Sequence, residues 1–307
     1  MTVRADAVEL PTPTDAALEP GRDLRADLSA LLKPRITLMV VLTTAVGYML
    51  ATPMVDLWVL AATLVGTGLL SSGSSVFNQV IERRSDALMP RTATRPLPAG
   101  RFSVETAVAL GLALSLAGTV LLTTAVNHLT ALVGLLTLVL YVAAYTPLKR
   151  RSSLATIVGA VPGAMPPMMG CTAATGELNM LAWALFGLLF LWQMPHFLAI
   201  AWLYRDDYAR GGLPMLTVGD SSGSRTWRQM VLYGGALVPV SLLPSVLGYT
   251  GIPYMLGALV AGALFLRPAL AFGKKPEVGA ARRLLIASVL YLPAVLVLMV
   301  VDHALFV

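Results

Sequence analysis

Three polar residues, Asn78, Glu82 and Asp86, recur at i, i+4 and i+8 in the segment NQVIERRSD. On a helix each step of four drifts by only about 40°, so their side chains stack along one face over roughly 12 Å. Oxygen donors without histidine or cysteine suit a hard cation, and magnesium takes one or two carboxylates plus water and phosphate oxygens. A second acidic pair, Asp206 and Asp207, follows a long apolar run. Arginines and lysines beside both groups make a diphosphate the fitting partner. Arg91 and Arg95 follow the first cluster, Lys33 and Arg35 open the first apolar run, and Lys149 begins the basic turn KRR. The expectation is therefore a magnesium ion (Mg2+) held by Asn78, Glu82, Asp86 and Asp207, with Asp206 as a further catalytic carboxylate and the five cations on the diphosphate. The competing reading of the same carboxylates is interfacial ion pairing with Arg83, Arg84 or Arg205.

Elements able to hold such groups must sit in lipid. Of the 307 residues 57% are hydrophobic and only 12% charged, and the mean hydropathy is +0.76, far more apolar than an average soluble domain. A helix needs roughly 20 residues to cross the hydrocarbon core. Nine runs of that kind are expected: Ile36 to Thr52, Leu57 to Ile81, Val104 to Ala125, Thr130 to Pro147, Leu154 to Ala173, Met180 to Leu203, Met230 to Tyr249, Ile252 to Leu266 and Leu284 to Val301. With these limits all 22 lysines and arginines fall before the first run or in alternate loops, on one side of the membrane. Basic loops stay cytoplasmic, so the amino terminus is expected inside and the carboxyl terminus outside.

The net charge of +6 is thus explained by topology, and no basic patch with interleaved aromatics marks a nucleic-acid-binding module. Residues 1–30, acidic and proline-bearing, read as a disordered cytoplasmic tail, and residues 31–307 as a single membrane-embedded domain. The lone Cys171 allows neither an internal disulfide nor a cysteine zinc site. The glycines and serines from Gly66 to Ser75 read as a surface for close helix packing.

An apolar chamber beneath a diphosphate site points to an isoprenoid, whose allylic cation must be kept from water. Phe77, Tyr141, Tyr145 and Tyr204 are aromatic faces that could steady it, or packing and interfacial residues. His196 stands deep in the sixth run beside Pro195, which should kink that helix. His128 and His303 receive no role. A secondary transporter is a rival class, although its carboxylates sit mid-span rather than at helix ends.

The segments KPRITL, NQVIERRSD with RTATRPLPAG, YTPLKRRSSLATIVGAVPGAMPP, and WQMPHF followed by DDYARGGLPML together resemble the UbiA-type intramembrane prenyltransferases, specifically their haem-farnesylating branch. The resemblance runs from about Leu32 to the end. It implies an all-α integral membrane protein with about nine transmembrane helices around a central cavity. It also implies Mg2+-dependent binding of farnesyl diphosphate, and transfer of farnesyl to a vinyl group of haem B with addition of water. The related alternative is a prenyltransferase acting on a quinone-precursor or chlorophyll-type ring. Implied surroundings are the lipid bilayer of a bacterial plasma (inner) membrane, with haem A synthase or terminal oxidase assembly as candidate partners. By this resemblance Asn78, Glu82 and Asp86 match the first acidic motif, His196 is either a haem contact or a histidine bonded between helices, and a noncatalytic haem-binding protein is a further rival. Tyr204 and Tyr208 stand where many members carry two aspartates four apart, which leaves Asp206 and Asp207 between them.

Overall fold

The computed structural model describes residues 23–306, and the expected tail over residues 1–22 lies outside them. Nine helices among the described residues are long and apolar enough to cross a membrane: Pro34–Ala51, Leu57–Asp86, Val104–Ala125, His128–Leu148, Ala155–Thr175, Met180–Leu203, Ser224–Val246, Ile252–Lys274 and Val278–Leu305. They are the first to ninth spans below. The third and sixth have the limits expected from the sequence. The second runs past Ile81 to Asp86, and the seventh, eighth and ninth extend well beyond their apolar stretches. Those extra turns carry Arg83, Arg84, Arg225, Arg228, Lys274, Arg282 and Arg283. Hydropathy stops counting at a charge, whereas the helix continues out of the hydrocarbon.

Residues 24–30, expected in the tail, are ordered instead. Leu24–Leu32 form a helix, N-capped by Asp23, whose carboxylate accepts from the Arg25 and Ala26 N–H groups. Leu24, Leu28 and Leu31 recur at helical spacing, and Leu31 is fully buried in a small cluster with Val76, Val80, Leu97 and Ala107.

Each span packs against the next in sequence, and the ninth closes the ring against the first. The fifth is the most deeply buried. Close approach explains its contact with the first span: a Cβ on Gly47 would overlap the Pro167 carbonyl oxygen, and one on Gly170 would overlap that of Thr44. Two interruptions bend the ring. The fifth span breaks at Met165, where Pro166 and Pro167 remove two donors, and Gln193 of the sixth span donates to the Ala160 carbonyl beside the break at 2.8 Å. The fourth widens into a π turn over Leu140–Tyr145, just before Pro147, with the Thr146 hydroxyl donating to the Tyr141 carbonyl at 2.7 Å.

The backbone contact between the first and fifth spans is directly testable. Gly170→Val should lower the thermal midpoint in detergent by several degrees, from an overpacking cost of about 1–3 kcal/mol or more. Gly235→Ala, where an added Cβ meets nothing within 4 Å, should leave the midpoint unchanged or slightly raised.

Candidate active site

The extra turns of the second span decide the site. Because the helix persists to Asp86, Asn78, Glu82 and Asp86 lie on one continuous face, with 2%, 7% and 1% of their surfaces exposed. Each is met by a group from another element. Lys149, just beyond the fourth span, bonds Glu82 Oε1 through Nζ at 2.9 Å. Arg95, in the loop after the second span, bonds Asp86 Oδ2 at 2.6 Å. Lys33, at the mouth of the first span, donates from Nζ to Asn78 Oδ1 at 3.1 Å, and Asn78 Nδ2 donates to Thr146 Oγ1 at 3.2 Å. The π turn therefore has a local consequence, since its Thr146 both satisfies Tyr141 and fixes the Asn78 amide.

These groups line a cavity of about 160 Å³ at one end of the helix ring, completed by Met89, Arg91, Tyr141, Tyr208 and Leu213. Pockets that enclose drug-sized ligands run to roughly 300–1,000 Å³, so this chamber fits a head group. Its wall carries four cations, Lys33, Arg91, Arg95 and Lys149, against two carboxylates. Burial and the neighbouring charge of Arg95 push Lys33 down to about 8. Burial acts on Lys149 in the same direction, but Tyr145 and Glu82 outweigh it and hold that ammonium well above the ordinary lysine value. Arg91 lies over the Tyr204 ring at 5.0 Å, and Lys149 over Tyr145 at the same distance.

The second acidic pair sits elsewhere. The sixth span ends at Leu203, and Tyr204 leaves helical geometry with φ −113° and ψ 25° before a short turn over Arg205–Arg210. That turn points Tyr208 into the cavity, while Asp207 pairs with Arg210 and Asp206 is exposed beside Arg205. Neither aspartate lines the chamber, and neither does Arg35, which is exposed. Among the described residues no three His, Cys, Asp or Glu side chains gather into a metal cluster. The donor set that does converge is two buried carboxylates and one amide oxygen. This set suits a magnesium ion that leaves most positions to phosphate oxygens and water. His196 does not line the cavity. Its Nδ1 lies 2.8 Å from Ser288 Oγ, and its ring stacks on Trp192 at 5.1 Å between centroids. Sequence reasoning missed Met89, Tyr208 and Leu213 as lining residues; the one available signal was Tyr208 in the register of a second motif.

A model of the UbiA prenyltransferase family matches residues 40–298. The chain belongs to that family. Two curated relatives are a protoheme IX farnesyltransferase of Solibacter usitatus, 47% identical over 90% of this chain and 98% of its own, and one of Koribacter versatilis, 42% identical over 94% and 97%. Among solved structures, a digeranylgeranylglyceryl phosphate synthase superposes with a TM-score of 0.77 at 16% identity, covering 91% of this chain and 98% of its own. A UbiA homolog from Archaeoglobus fulgidus bound to DMAPP and Mg2+ gives 0.63 at 17% identity over 89% and 99%. At those identities the structures establish a shared UbiA fold.

The pairing of Glu82 with Lys149 generates a prediction independent of chemistry. Lys149→Met leaves a buried carboxylate uncompensated and should lower the unfolding midpoint. Adding Glu82→Gln should recover most of the loss, with a coupling energy of about 1–3 kcal/mol in a double-mutant cycle followed by thermal unfolding in detergent.

Proposed function

We propose that this protein transfers a farnesyl group from farnesyl diphosphate to a vinyl group of haem B, giving haem O. The observation that carries the reaction class is the buried ladder Asn78–Glu82–Asp86 facing Lys33, Arg91, Arg95 and Lys149 across one small chamber. The choice of farnesyl and haem rests on relatives of that name, 42–47% identical over about nine-tenths of the chain.

In this reading the chamber takes the diphosphate. Asn78, Glu82 and Asp86 would hold Mg2+, which supplies Lewis-acid stabilisation to the departing phosphate oxygens. Lys33, Arg91, Arg95 and Lys149 orient the diphosphate and meet the charge that grows as the allylic C–O bond ionises. Tyr208 donates its hydroxyl to the same head group. Arg91, steadied on the Tyr204 face, and Lys149, over Tyr145, approach it from opposite elements. The vinyl carbon of haem then bonds to the allylic carbon. The cation left next to the porphyrin ring takes up water and loses a proton, which leaves a hydroxyethylfarnesyl side chain and free diphosphate.

Asp206 and Asp207 stand outside the chamber, paired with Arg205 and Arg210 of the same turn, and take no part in holding the metal. His196 is the proposed haem contact, held in place by Ser288 of the ninth span. With the basic loops inside, the amino terminus and the chamber mouth face the cytoplasm of a bacterial inner membrane, where a soluble diphosphate head arrives.

Purified protein given farnesyl diphosphate, Mg2+ and haem B should yield haem O by mass spectrometry, and chelation with EDTA should abolish the product. Product formed only with hydroxybenzoate would reassign the acceptor. Glu82→Gln and Asp86→Asn should each lower kcat by about 10²- to 10³-fold while the protein still inserts, whereas Asp206→Asn should change kcat less than about threefold. Unchanged turnover in Glu82→Gln would overturn the assignment of the chamber.

A further inference from the structure

Lys33 is the sole non-glycine residue with a positive φ among the described residues, at φ 50° and ψ 60°. It separates the Leu24–Leu32 helix from the first span, serving as the C-cap of one and the N-cap of the other. Glycine or asparagine fits this backbone best. A lysine held there against its preference marks a demand on the side chain rather than on the turn. Its amide bonds the Ser29 carbonyl at 3.0 Å, which closes the left-handed cap, and its Nζ reaches Asn78 in the chamber.

What holds the strained residue is the helix before it. The Ala30 and Leu31 carbonyls, left without partners by the helix end, accept from Gln79 Nε2 at 3.1 and 2.8 Å, and Gln79 is fully buried one position from Asn78. Leu31 seats in the cluster around Val76 and Val80. At the other end Asp27, 4% exposed, accepts from Arg101 Nε at 3.0 Å and pairs with its NH2 at 2.9 Å. That same NH2 also donates to the Thr94 carbonyl at 2.9 Å, one residue before Arg95.

We propose that the Leu24–Leu32 helix is a positioning strap of the active site, in which the Asp27–Arg101 pair and Gln79 fix Lys33 and Arg95 together against the diphosphate. One guanidinium ties the helix that delivers Lys33 to the loop that delivers Arg95 and Arg91. Losing the tie loosens cations on two walls of the chamber at once, without removing any of them. The strap acts on head-group binding and leaves the haem side alone. It rests on the diphosphate reading of the chamber for its meaning, but the pyrophosphate-binding arm of its test does not need haem chemistry.

The probe is inorganic pyrophosphate with Mg2+, titrated calorimetrically into the full chain in detergent, beside steady-state kinetics with farnesyl diphosphate and haem B. Asp27→Asn and Arg101→Gln should each weaken pyrophosphate binding and raise KM for farnesyl diphosphate by about tenfold. KM for haem should stay within about twofold. Arg101 is about half exposed, so its variant keeps the test open if Asp27→Asn fails to fold. Asp27→Glu should recover most of the affinity, and the exchange Asp27→Arg with Arg101→Asp should bind pyrophosphate better than either single change. If the single variants lower thermal stability while the ratio of the two KM values stays fixed, or if the exchange is no better than its parents, the strap is ordinary scaffolding and the proposal fails. Wild-type protein that binds pyrophosphate yet makes no haem O would overturn the acceptor assignment and leave the strap standing.

Discussion

Two carboxylates at the finishing end of a membrane helix set the terms for everything around them. Glu82 and Asp86 sit where the backbone already presents unpaired carbonyls and disfavours negative charge, and both are almost wholly removed from solvent. A buried charge without compensation costs roughly 3–5 kcal/mol, so each must be met by a cation, and the second span has none on the right face. Lys149 comes from the loop after the fourth span and Arg95 from the loop after the second, while Lys33 reaches the adjoining Asn78 from the first. The loops at this end of the ring are thereby drawn inward. They are held by the site as much as they form it.

That arrangement has a chemical corollary. Cations outnumber carboxylates along the chamber wall, so in the function proposed above a polyanionic head group would complete the charge balance that the protein leaves unfinished. Fixed charges in a confined space act on a leaving group more strongly than they would in water, and they need no reorganisation when the bond breaks. The glycine contacts between the first and fifth spans, and the Gln193 bond to the Ala160 carbonyl, bring the surrounding helices into close contact.

The spans were legible because apolar runs of the right length leave little else to build in lipid, and the ladder was legible because fours bring residues onto one helical face. The limits of the later spans were not, because Arg225, Arg228, Lys274 and Arg282 read as loop although they sit on helical turns beyond the hydrocarbon. The Leu24–Leu32 helix was hidden by the acidic, proline-bearing stretch before it, and only the spacing of Leu24, Leu28 and Leu31 hinted at it. Assigning Asp207 to the chamber from its place just after the sixth span could not work. Tyr204 breaks the helix and the next turn begins on a new axis, which brings Tyr208 rather than an aspartate to the chamber. The partner of each carboxylate was invisible for a simpler reason, since Lys149 and Arg95 lie 67 and 9 positions away from Glu82 and Asp86.

The wide turn over Leu140–Tyr145 separates two jobs that one helix would otherwise have to reconcile. A helix turns by about 100° per residue, so an extra residue in one loop of the spiral rotates everything after it by that angle. Upstream of the turn, the fourth span is free to match its apolar face to lipid and to the third and fifth spans. Downstream, Thr146 and Lys149 take an orientation of their own. Substrate recognition at the rim can thus be retuned over evolutionary time, by changing residues after Tyr145, without disturbing how the rest of that helix sits in the bilayer.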